Sequence, residues 1–94
     1  MRTIERSGIF KKDFRRIQKK PRHTKNLATI LSNVLSLLAA DASLPPALND
    51  HSLQGEWAGY RECHLKPDLL LIYRKTDDNA LRLARLGSHS ELFR

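Results

Sequence analysis

The fold is decided by one almost unbroken apolar run of strand length, Leu69-Leu70-Leu71-Ile72-Tyr73-Arg74. A strand that is apolar throughout is one that other layers cover on both faces, so this run predicts the central strand of a sheet. The flanking segments also have the period of strands, and we predict the preceding strand over residues 60–65 and the last strand over residues 81–86. Residues 77–79 are typical of the hairpin turn that joins the last two strands.

The segments before this sheet predict a short strand and two helices. Thr3–Arg6 is the predicted strand. The first helix begins near Ser7 or Gly8 and ends before Pro21, since proline disfavours the helical conformation in the residue that precedes it. The second helix is predicted over residues 25–40. Its apolar residues follow the pattern of a helix that packs one face on a core, and they are Leu27, Ile30, Leu31, Val34, Leu35 and Leu38.

The order of these elements, β-α-α-β-β-β, predicts a single α+β domain that spans residues 1–94. We expect two N-terminal helices packed on one face of a mainly antiparallel sheet of about four strands. Between the second helix and the sheet, Pro45 and Pro46 predict a loop over residues 43–49 that leads into Asp50 and His51. A chain of 94 residues is long enough for one small core and too short for two.

Composition favours an anionic partner. The chain has 17 Lys and Arg residues against 10 Asp and Glu residues, a formal net charge of +7. Such an excess favours nucleic acid, an acidic protein or an anionic membrane surface, although a basic surface that is simply solvated gives the same count. No apolar run reaches the ~18 residues that a transmembrane helix needs, and no signal-peptide segment follows Met1. Because Cys63 is the only cysteine, no intrachain disulfide is expected, and we predict a reduced, cytoplasmic setting.

The first predicted helix concentrates much of this positive charge. Residues four apart form two basic columns, Lys11, Arg15 and Lys19 in one and Lys12, Arg16 and Lys20 in the other. Like charges at this spacing cost about 0.2–0.5 kcal/mol per pair, and Asp13 is the only acid in the helix. A cost repeated in this way predicts a surface that binds a polyanion or an acidic partner. A merely soluble face is the alternative interpretation.

The C-terminal half carries the side chains needed to cleave a phosphodiester without a metal ion. They are three histidines, one carboxylate and one guanidinium: His51, His64, Asp68, Arg85 and His89. Histidine both accepts and donates protons near neutral pH. Arginine neutralises a phosphate whose negative charge grows in the transition state. We therefore predict an acid–base site that uses no cofactor.

Strand alternation predicts where these side chains lie. Leu81, Leu83 and Arg85 fall on one side of the last strand, so Arg85 continues an apolar register and must emerge at the rim or meet an anion. The preceding strand places His64 on the same side as Glu62. We therefore expect one edge of the sheet to hold four of the candidates: His64, Asp68, Arg85 and His89.

Other interpretations stay open at this point. Spacing alone does not decide whether the Pro-rich loop brings His51 to the other candidates. A zinc site built from the three histidines and Asp68 fits ligand chemistry, but no short paired spacing supports it. Each candidate is also compatible with an ordinary surface or turn residue. Trp57 and Tyr60 are suited either to stacking on bases or to packing.

Several ordered motifs run from residue 48 to the C-terminus. They are Asp50-His51-Ser52-Leu53-Gln54-Gly55-Glu56-Trp57, Gly59-Tyr60-Arg61-Glu62-Cys63-His64, Lys66-Pro67-Asp68-Leu69-Leu70-Leu71-Ile72-Tyr73 and Arg85-Leu86-Gly87-Ser88-His89-Ser90-Glu91-Leu92-Phe93. In these motifs the chain resembles the YafQ branch of the RelE/ParE toxin superfamily. The first half of the chain resembles it only in layout, with a strand, a basic helix and an apolar helix.

The resemblance implies a toxin of a type II toxin–antitoxin pair, a ribosome-dependent endoribonuclease that cleaves mRNA in the ribosomal A site. The family's catalytic positions fall on His51, His64, Asp68, Arg85, His89 and Phe93. The implied partners are the 70S ribosome with its mRNA, held by the basic columns, and a cognate antitoxin with an acidic toxin-binding segment. One departure is Leu69, which stands where the family often has Trp and leaves this position without a base-stacking side chain.

The corresponding mechanistic hypothesis is metal-independent transesterification through the ribose 2′-OH. Asp68 or His51 would assist deprotonation of the 2′-OH, and His89 would protonate the leaving 5′ oxygen. Arg85 and His64 would stabilise the phosphorane, and the ring of Phe93 would help to position the base. The acid and base assignments are interchangeable at this stage.

Two functions of other classes also fit parts of the sequence. A non-catalytic inhibitor like the ParE branch, which targets DNA gyrase, shares the fold but not this set of histidines. A plain RNA-binding module with incidental histidines shares the charge. Messenger RNA cut at codons would favour the nuclease, whereas DNA damage with intact mRNA would favour the gyrase inhibitor.

Overall fold

The computed structural model describes residues 1–21 and 25–93. Within these ranges the chain forms a five-stranded sheet of order β1-β5-β4-β3-β2 with helices packed on it. The elements are β1 (Thr3–Arg6), α1 (Gly8–Gln18), α2 (Leu27–Ala39), β2 (His51–Ser52), β3 (Arg61–Lys66), β4 (Leu69–Lys75), β5 (Ala80–Gly87) and α3 (His89–Leu92). β1 runs parallel to β5, and the other neighbours are antiparallel. The predicted α+β class with a mainly antiparallel sheet is confirmed.

Two short elements are absent from the predicted layout. β2 has two residues and raises the expected sheet of about four strands to five, since His51 and Ser52 pair with β3. α3 has four residues and begins after Ser88, whose side chain accepts from the Glu91 amide while the Glu91 side chain accepts from the Ser88 amide. No helix in the described ranges combines the length and the apolarity that crossing a membrane requires.

The main core lies on the face of the sheet that α1 and α2 cover, which we call the helix face. The helices contribute Phe10, Ile17, Leu27, Leu31, Val34, Leu38 and Ala39, and the strands contribute Cys63, Leu65, Leu69, Leu71, Tyr73, Leu81, Leu83 and Leu86. A smaller apolar cluster lies on the other side of the sheet, which we call the opposite face. It consists of Leu70, Ile72 and Leu92 with Leu53, Trp57, Tyr60, Ala84 and Phe93 packed against it.

A β-bulge in β5 changes the predicted register of Arg85. Ala84 is the extra residue, and the pairs on either side of it are Tyr73–Leu83 and Ile72–Arg85. The prediction that Arg85 continues the apolar register of Leu81 and Leu83 is therefore wrong. Leu86 takes that place and is fully buried in the helix face, whereas Arg85 is paired with a residue of the opposite face.

Candidate active site

A buried carboxylate joins two of the predicted histidines on the opposite face. Glu62 of β3 is 4% exposed, and its Oε1 lies 3.5 Å from Nε2 of His51 and 3.5 Å from Nε2 of His64. The centroids of the two imidazole rings are 6.5 Å apart. Because His51 is opposite Glu62 in the β2–β3 ladder, the short strand β2 is what brings His51 to the sheet. His51 therefore reaches His64 through Glu62, which spacing alone could not decide.

Hydrogen bonds fix His51 and the turn that precedes it. Nδ1 of His51 lies 2.7 Å from the carbonyl oxygen of Asn49, and since a carbonyl only accepts, Nδ1 is the protonated nitrogen. Asp50 Oδ1 accepts from the Tyr73 hydroxyl at 2.5 Å and from Nε of Arg61 at 3.2 Å. Burial raises the pKa of Tyr73, and its bond to Asp50 raises it further, so the hydroxyl remains a donor.

Asp68, His89 and Phe93 form a second group where β3, β4 and α3 meet. Asp68 lies in the turn between β3 and β4, and its Oδ1 accepts from the backbone amide of His89 at 3.3 Å. The ring of His89 lies 5.0 Å from the ring of Phe93, at 43° to it. A Cβ on Gly87 would lie 3.0 Å from Glu91 Oε1, so this glycine permits the close approach of α3 to the end of β5.

The anion that Arg85 meets is Asp13, from the middle of the basic helix α1. Asp13 Oδ2 accepts from Nε of Arg85 at 2.8 Å and from the Leu86 amide at 3.0 Å. Its Oδ1 accepts from Nη1 of Arg16 at 2.8 Å and from Nη2 of Arg85 at 3.2 Å. Burial alone raises the pKa of Asp13, but the bonds from Arg85, Leu86 and Arg16 outweigh it and hold the pKa below its ordinary value. The carboxyl is therefore ionised near neutral pH.

The sheet register relates these groups to one another. His64 pairs with Leu70, which pairs with Gly87, and Glu62 pairs with Ile72, which pairs with Arg85. Neighbouring strands lie ~4.8 Å apart, so the backbones at the two ends of each row are separated by ~10 Å. The structure thus places His51, Glu62 and Arg85 in one row of the sheet. His64 lies two residues further along β3, towards the end of the sheet that carries Asp68 and His89.

The six cations of the predicted basic columns, in α1 and just after it, have different surroundings. Lys11, Lys12, Arg15 and Lys19 are exposed. In contrast, Nε of Arg16 and Nζ of Lys20 each lie 3.1 Å from Oε2 of Glu91 in α3. Burial raises the pKa of Glu91, but the Ser88 amide and hydroxyl, Lys20 and Arg16 together lower it to about 2. Arg16 and Lys20 thus tie α1 to the helix that carries His89.

The remaining candidates pack rather than line a site. The rings of Trp57 and Tyr60 meet edge to face at 5.2 Å, and the Arg74 guanidinium lies 5.7 Å above the Tyr60 ring. Leu69 is fully buried in the helix face, so it contributes to the core. Among the residues that the structure describes, no group of three or more His, Cys, Asp or Glu side chains is suited to holding a metal ion.

Three acidic residues at these sites are absent from the set predicted from sequence: Asp13, Glu62 and Glu91. Two of them carry a signal in the sequence. Asp13 is the one acid of a strongly basic helix, and Glu91 follows Ser88 at the spacing of a capping box. Glu62 shares a strand side with His64, but nothing in the sequence distinguishes it from an exposed acid.

An apolar groove crosses the surface between α1, α2 and β5. Its volume is about 340 Å³. It is lined by Phe10, Phe14, Leu31, Leu35 and Leu83, with Arg6, Lys11 and Arg15 around it. The groove therefore combines an apolar floor with a basic rim.

Fold and site together define a small α+β protein with a cluster of ionisable side chains on the sheet face that its long helices leave uncovered. Comparison with known families matches residues 2–94 to the family described as bacterial toxin of type II toxin–antitoxin system, YafQ. The chain belongs to this family, and the resemblance predicted from the motifs is confirmed.

Known relatives agree with this assignment over the full chain. The chain is 40% identical over 92 residues to the mRNA interferase toxin YafQ of Escherichia coli K12, covering 98% of this chain and 96% of the relative. A metal-bound toxin from Helicobacter pylori superimposes with a TM-score of 0.88 at 46% identity, over 99% of this chain and 100% of that one. A chain of the Escherichia coli DinJ–YafQ complex matches with a TM-score of 0.84 at 42% identity, over 100% of this chain and 100% of that one.

Proposed function

We propose that this chain is a ribosome-dependent endoribonuclease that cleaves mRNA in the ribosomal A site and so inhibits translation. The observation that carries the proposal is the gathering of His51 and His64 around Glu62 on the sheet face where Phe93, next to the His89 ring, also packs. The 40% identical relative named an mRNA interferase toxin supports the same substrate. Because the proposed substrate is mRNA on the ribosome, we expect the activity in the cytoplasm.

The proposed reaction is transesterification without a metal ion. The ribose 2′ oxygen loses its proton to a general base and attacks the adjacent phosphorus, forming a phosphorane. The bond from phosphorus to the 5′ oxygen then breaks, and His89 gives that oxygen a proton. The products are a 2′,3′-cyclic phosphate, or the 3′-phosphate it hydrolyses to, and a fragment with a 5′-OH.

His51 or Asp68 acts as the base in this scheme, and two contacts support His51. Its Nδ1 proton is held by the Asn49 carbonyl, which leaves Nε2 of the neutral ring to accept a proton. Once protonated, Nε2 faces the buried Glu62 carboxylate at 3.5 Å. A carboxylate that orients an imidazole and stabilises its charged form is the arrangement of many acid–base sites.

The other candidates stabilise charge or hold the substrate. Arg85 and His64 would neutralise the phosphorane, whose negative charge exceeds that of the ground state. Phe93, 5.0 Å from the His89 ring, would position the base next to the cleaved linkage. Acid and base groups each contribute about 10²–10⁴-fold to such reactions.

We propose two protein surfaces for the partners. The exposed cations Lys11, Lys12, Arg15 and Lys19 would hold ribosomal RNA, and binding through them would weaken steeply with salt. An acidic amphipathic segment of the cognate antitoxin would lie in the apolar groove, because the groove pairs an apolar floor with a basic rim. Since Lys11 and Arg15 belong to both surfaces, the bound antitoxin would exclude the ribosome.

The decisive experiment adds the purified protein to programmed ribosomes and maps the 5′ ends of the mRNA. We expect cleavage in the A-site codon, little cleavage of free RNA, and no cleavage when the nucleotide at the cut site is 2′-deoxy. His89→Ala should bind ribosomes but cleave about 10²–10⁴-fold more slowly, whereas its exposed neighbour Ser90→Ala should cleave normally.

Efficient cleavage of the 2′-deoxy substrate would rule out the mechanism. Growth arrest that His89→Ala leaves intact would favour a plain binding module, and DNA damage with intact mRNA a gyrase inhibitor.

A further inference from the structure

Asp13 is the most completely bound carboxylate in the described part of the molecule that lies outside the predicted site. It is 2% exposed. Its two oxygens accept four hydrogen bonds, two of which come from Arg85, at 2.8 Å from Nε and 3.2 Å from Nη2. A third comes from the Leu86 amide at 3.0 Å. Asp13 therefore holds both the Arg85 side chain and the backbone next to the bulge at Ala84.

This pairing fixes the orientation of the Arg85 guanidinium. One buried carboxylate binds two N–H groups of the planar fork, so the ion pair restrains rotation of the fork about its long stem. The Nη1 edge lies outside the ion pair, and the side chain is 24% exposed. A cation that is already oriented when substrate arrives adds its full charge stabilisation without first losing conformational freedom.

We propose that Asp13 is the positioning residue for Arg85, holding Nε and Nη2 so that the Nη1 edge meets the scissile phosphate. This inference rests on the proposed function, in which Arg85 stabilises the phosphorane. Asp13 itself contacts no substrate in this scheme. The competing interpretation is that the ion pair only joins α1 to β5 and withholds Arg85 from substrate.

The test measures single-turnover cleavage on programmed ribosomes, at saturating protein, together with ribosome binding. Asp13→Asn should cleave 10- to 100-fold more slowly while its ribosome affinity stays within about twofold. Arg85→Lys, which keeps the charge but loses the fork, should show a similar loss. In the Arg85→Ala background, Asp13→Asn should cause no further loss, because the residue it positions is gone. Asp41→Asn is the matched control, since Asp41 binds Arg2 and Lys75 away from the site.

A second measurement is independent of cleavage. The NMR signal of the Arg85 Nε–H should be protected from solvent exchange in the unaltered protein and should lose that protection in Asp13→Asn. The inference would be overturned if Asp13→Asn cleaved at the normal rate or faster. It would also be overturned if the losses of Asp13→Asn and Arg85→Ala multiplied in the double variant. Normal cleavage by Arg85→Ala would overturn the role of Arg85 in the reaction and, with it, the inference. Failure of the unaltered protein to cleave would instead overturn the proposed function. In that case an unprotected Arg85 signal would overturn the positioning of Arg85 as well, and a protected one would uphold it. If Asp13→Asn does not fold, Arg85→Lys and the signal in the unaltered protein decide the inference.

Discussion

Adjacent residues of β3 lie on opposite faces of the sheet and differ in chemistry. Cys63 and Leu65 lie in the helix face and are 0% and 6% exposed. Glu62 and His64 alternate with them on the opposite face, where they form an ionisable group with His51. The same strands thus supply a continuous apolar core on one side and a mixed polar and apolar surface on the other. Substitutions on the two faces should therefore separate stability from activity.

His64→Ala gives the largest expected separation. Loss of this charge-stabilising imidazole should slow cleavage by about 10²–10³-fold, yet change the free energy of unfolding by less than about 1 kcal/mol, because the side chain is 30% exposed. Single-turnover cleavage on programmed ribosomes measures the first effect, and urea unfolding followed by Trp57 fluorescence measures the second.

The neighbouring residue provides the control for His64. Leu65→Ala should lose about 2–5 kcal/mol of stability while each folded molecule still cleaves at the normal rate. Normal cleavage by His64→Ala would mean that the opposite face is not where the chemistry occurs.

Glu62→Gln tests whether the buried carboxylate serves the histidines or the fold. The carboxylate lies within ion-pair distance of both imidazoles, so loss of its charge should slow cleavage by roughly tenfold or more. Glu56→Gln is the matched control, since Glu56 is an exposed acid of a nearby turn. Equal cleavage by the two variants would assign Glu62 a structural role only.

Glu91 of α3 tests the contact between α1 and α3, because its carboxylate binds Arg16 and Lys20. Its pKa in the folded protein is about 2, against an ordinary 4.5. A lowered folded-state pKa stabilises the protein above pH 4.5, and that contribution is lost as the pH falls towards 2. Glu91→Gln should therefore cost about 1–2 kcal/mol at pH 7.

Urea unfolding at a series of pH values measures this effect. The two stability curves should converge between pH 4.5 and 2. Glu5→Gln, which alters an exposed pair with Arg82, should follow the unaltered protein throughout. A constant offset between Glu91→Gln and the unaltered protein at every pH would contradict the assignment.

The sequence predicted the helix face better than the opposite face, because regular burial leaves a periodic pattern. The central strand and the apolar helix follow directly from such patterns. β1 has the predicted bounds Thr3–Arg6, although all four of its residues are exposed. β2 and α3 are too short to show any period. Only the Ser88 and Glu91 capping box signals α3, and the Pro-rich loop hides the strand that brings His51 to Glu62.

The motifs indicated which residue types form the site, but not how they are held. Strict alternation predicts that Arg85 lies on the same side of β5 as Leu83. The bulge at Ala84 breaks that alternation, and no pattern in the sequence indicates the bulge. The pairing of Arg85 with Asp13 joins residues far apart in the chain, so it follows from packing rather than from local pattern. The six catalytic assignments stay predictions, and the variants at His64, Arg85 and His89 test three of them.

The smallest expected effect comes from making the same substitution once on each face, in separate variants. Ile17 and Ile72 are both fully buried, Ile17 in the helix face and Ile72 in the opposite face. Ile→Val at either position removes one methylene and should cost about 0.5–1.5 kcal/mol of unfolding free energy. Because Ile72 lies between Glu62 and Arg85 in the sheet register, only Ile72→Val should also slow cleavage, by a few-fold. Equal cleavage by the two variants at matched stability would mean that the packing beneath the site does not set its geometry.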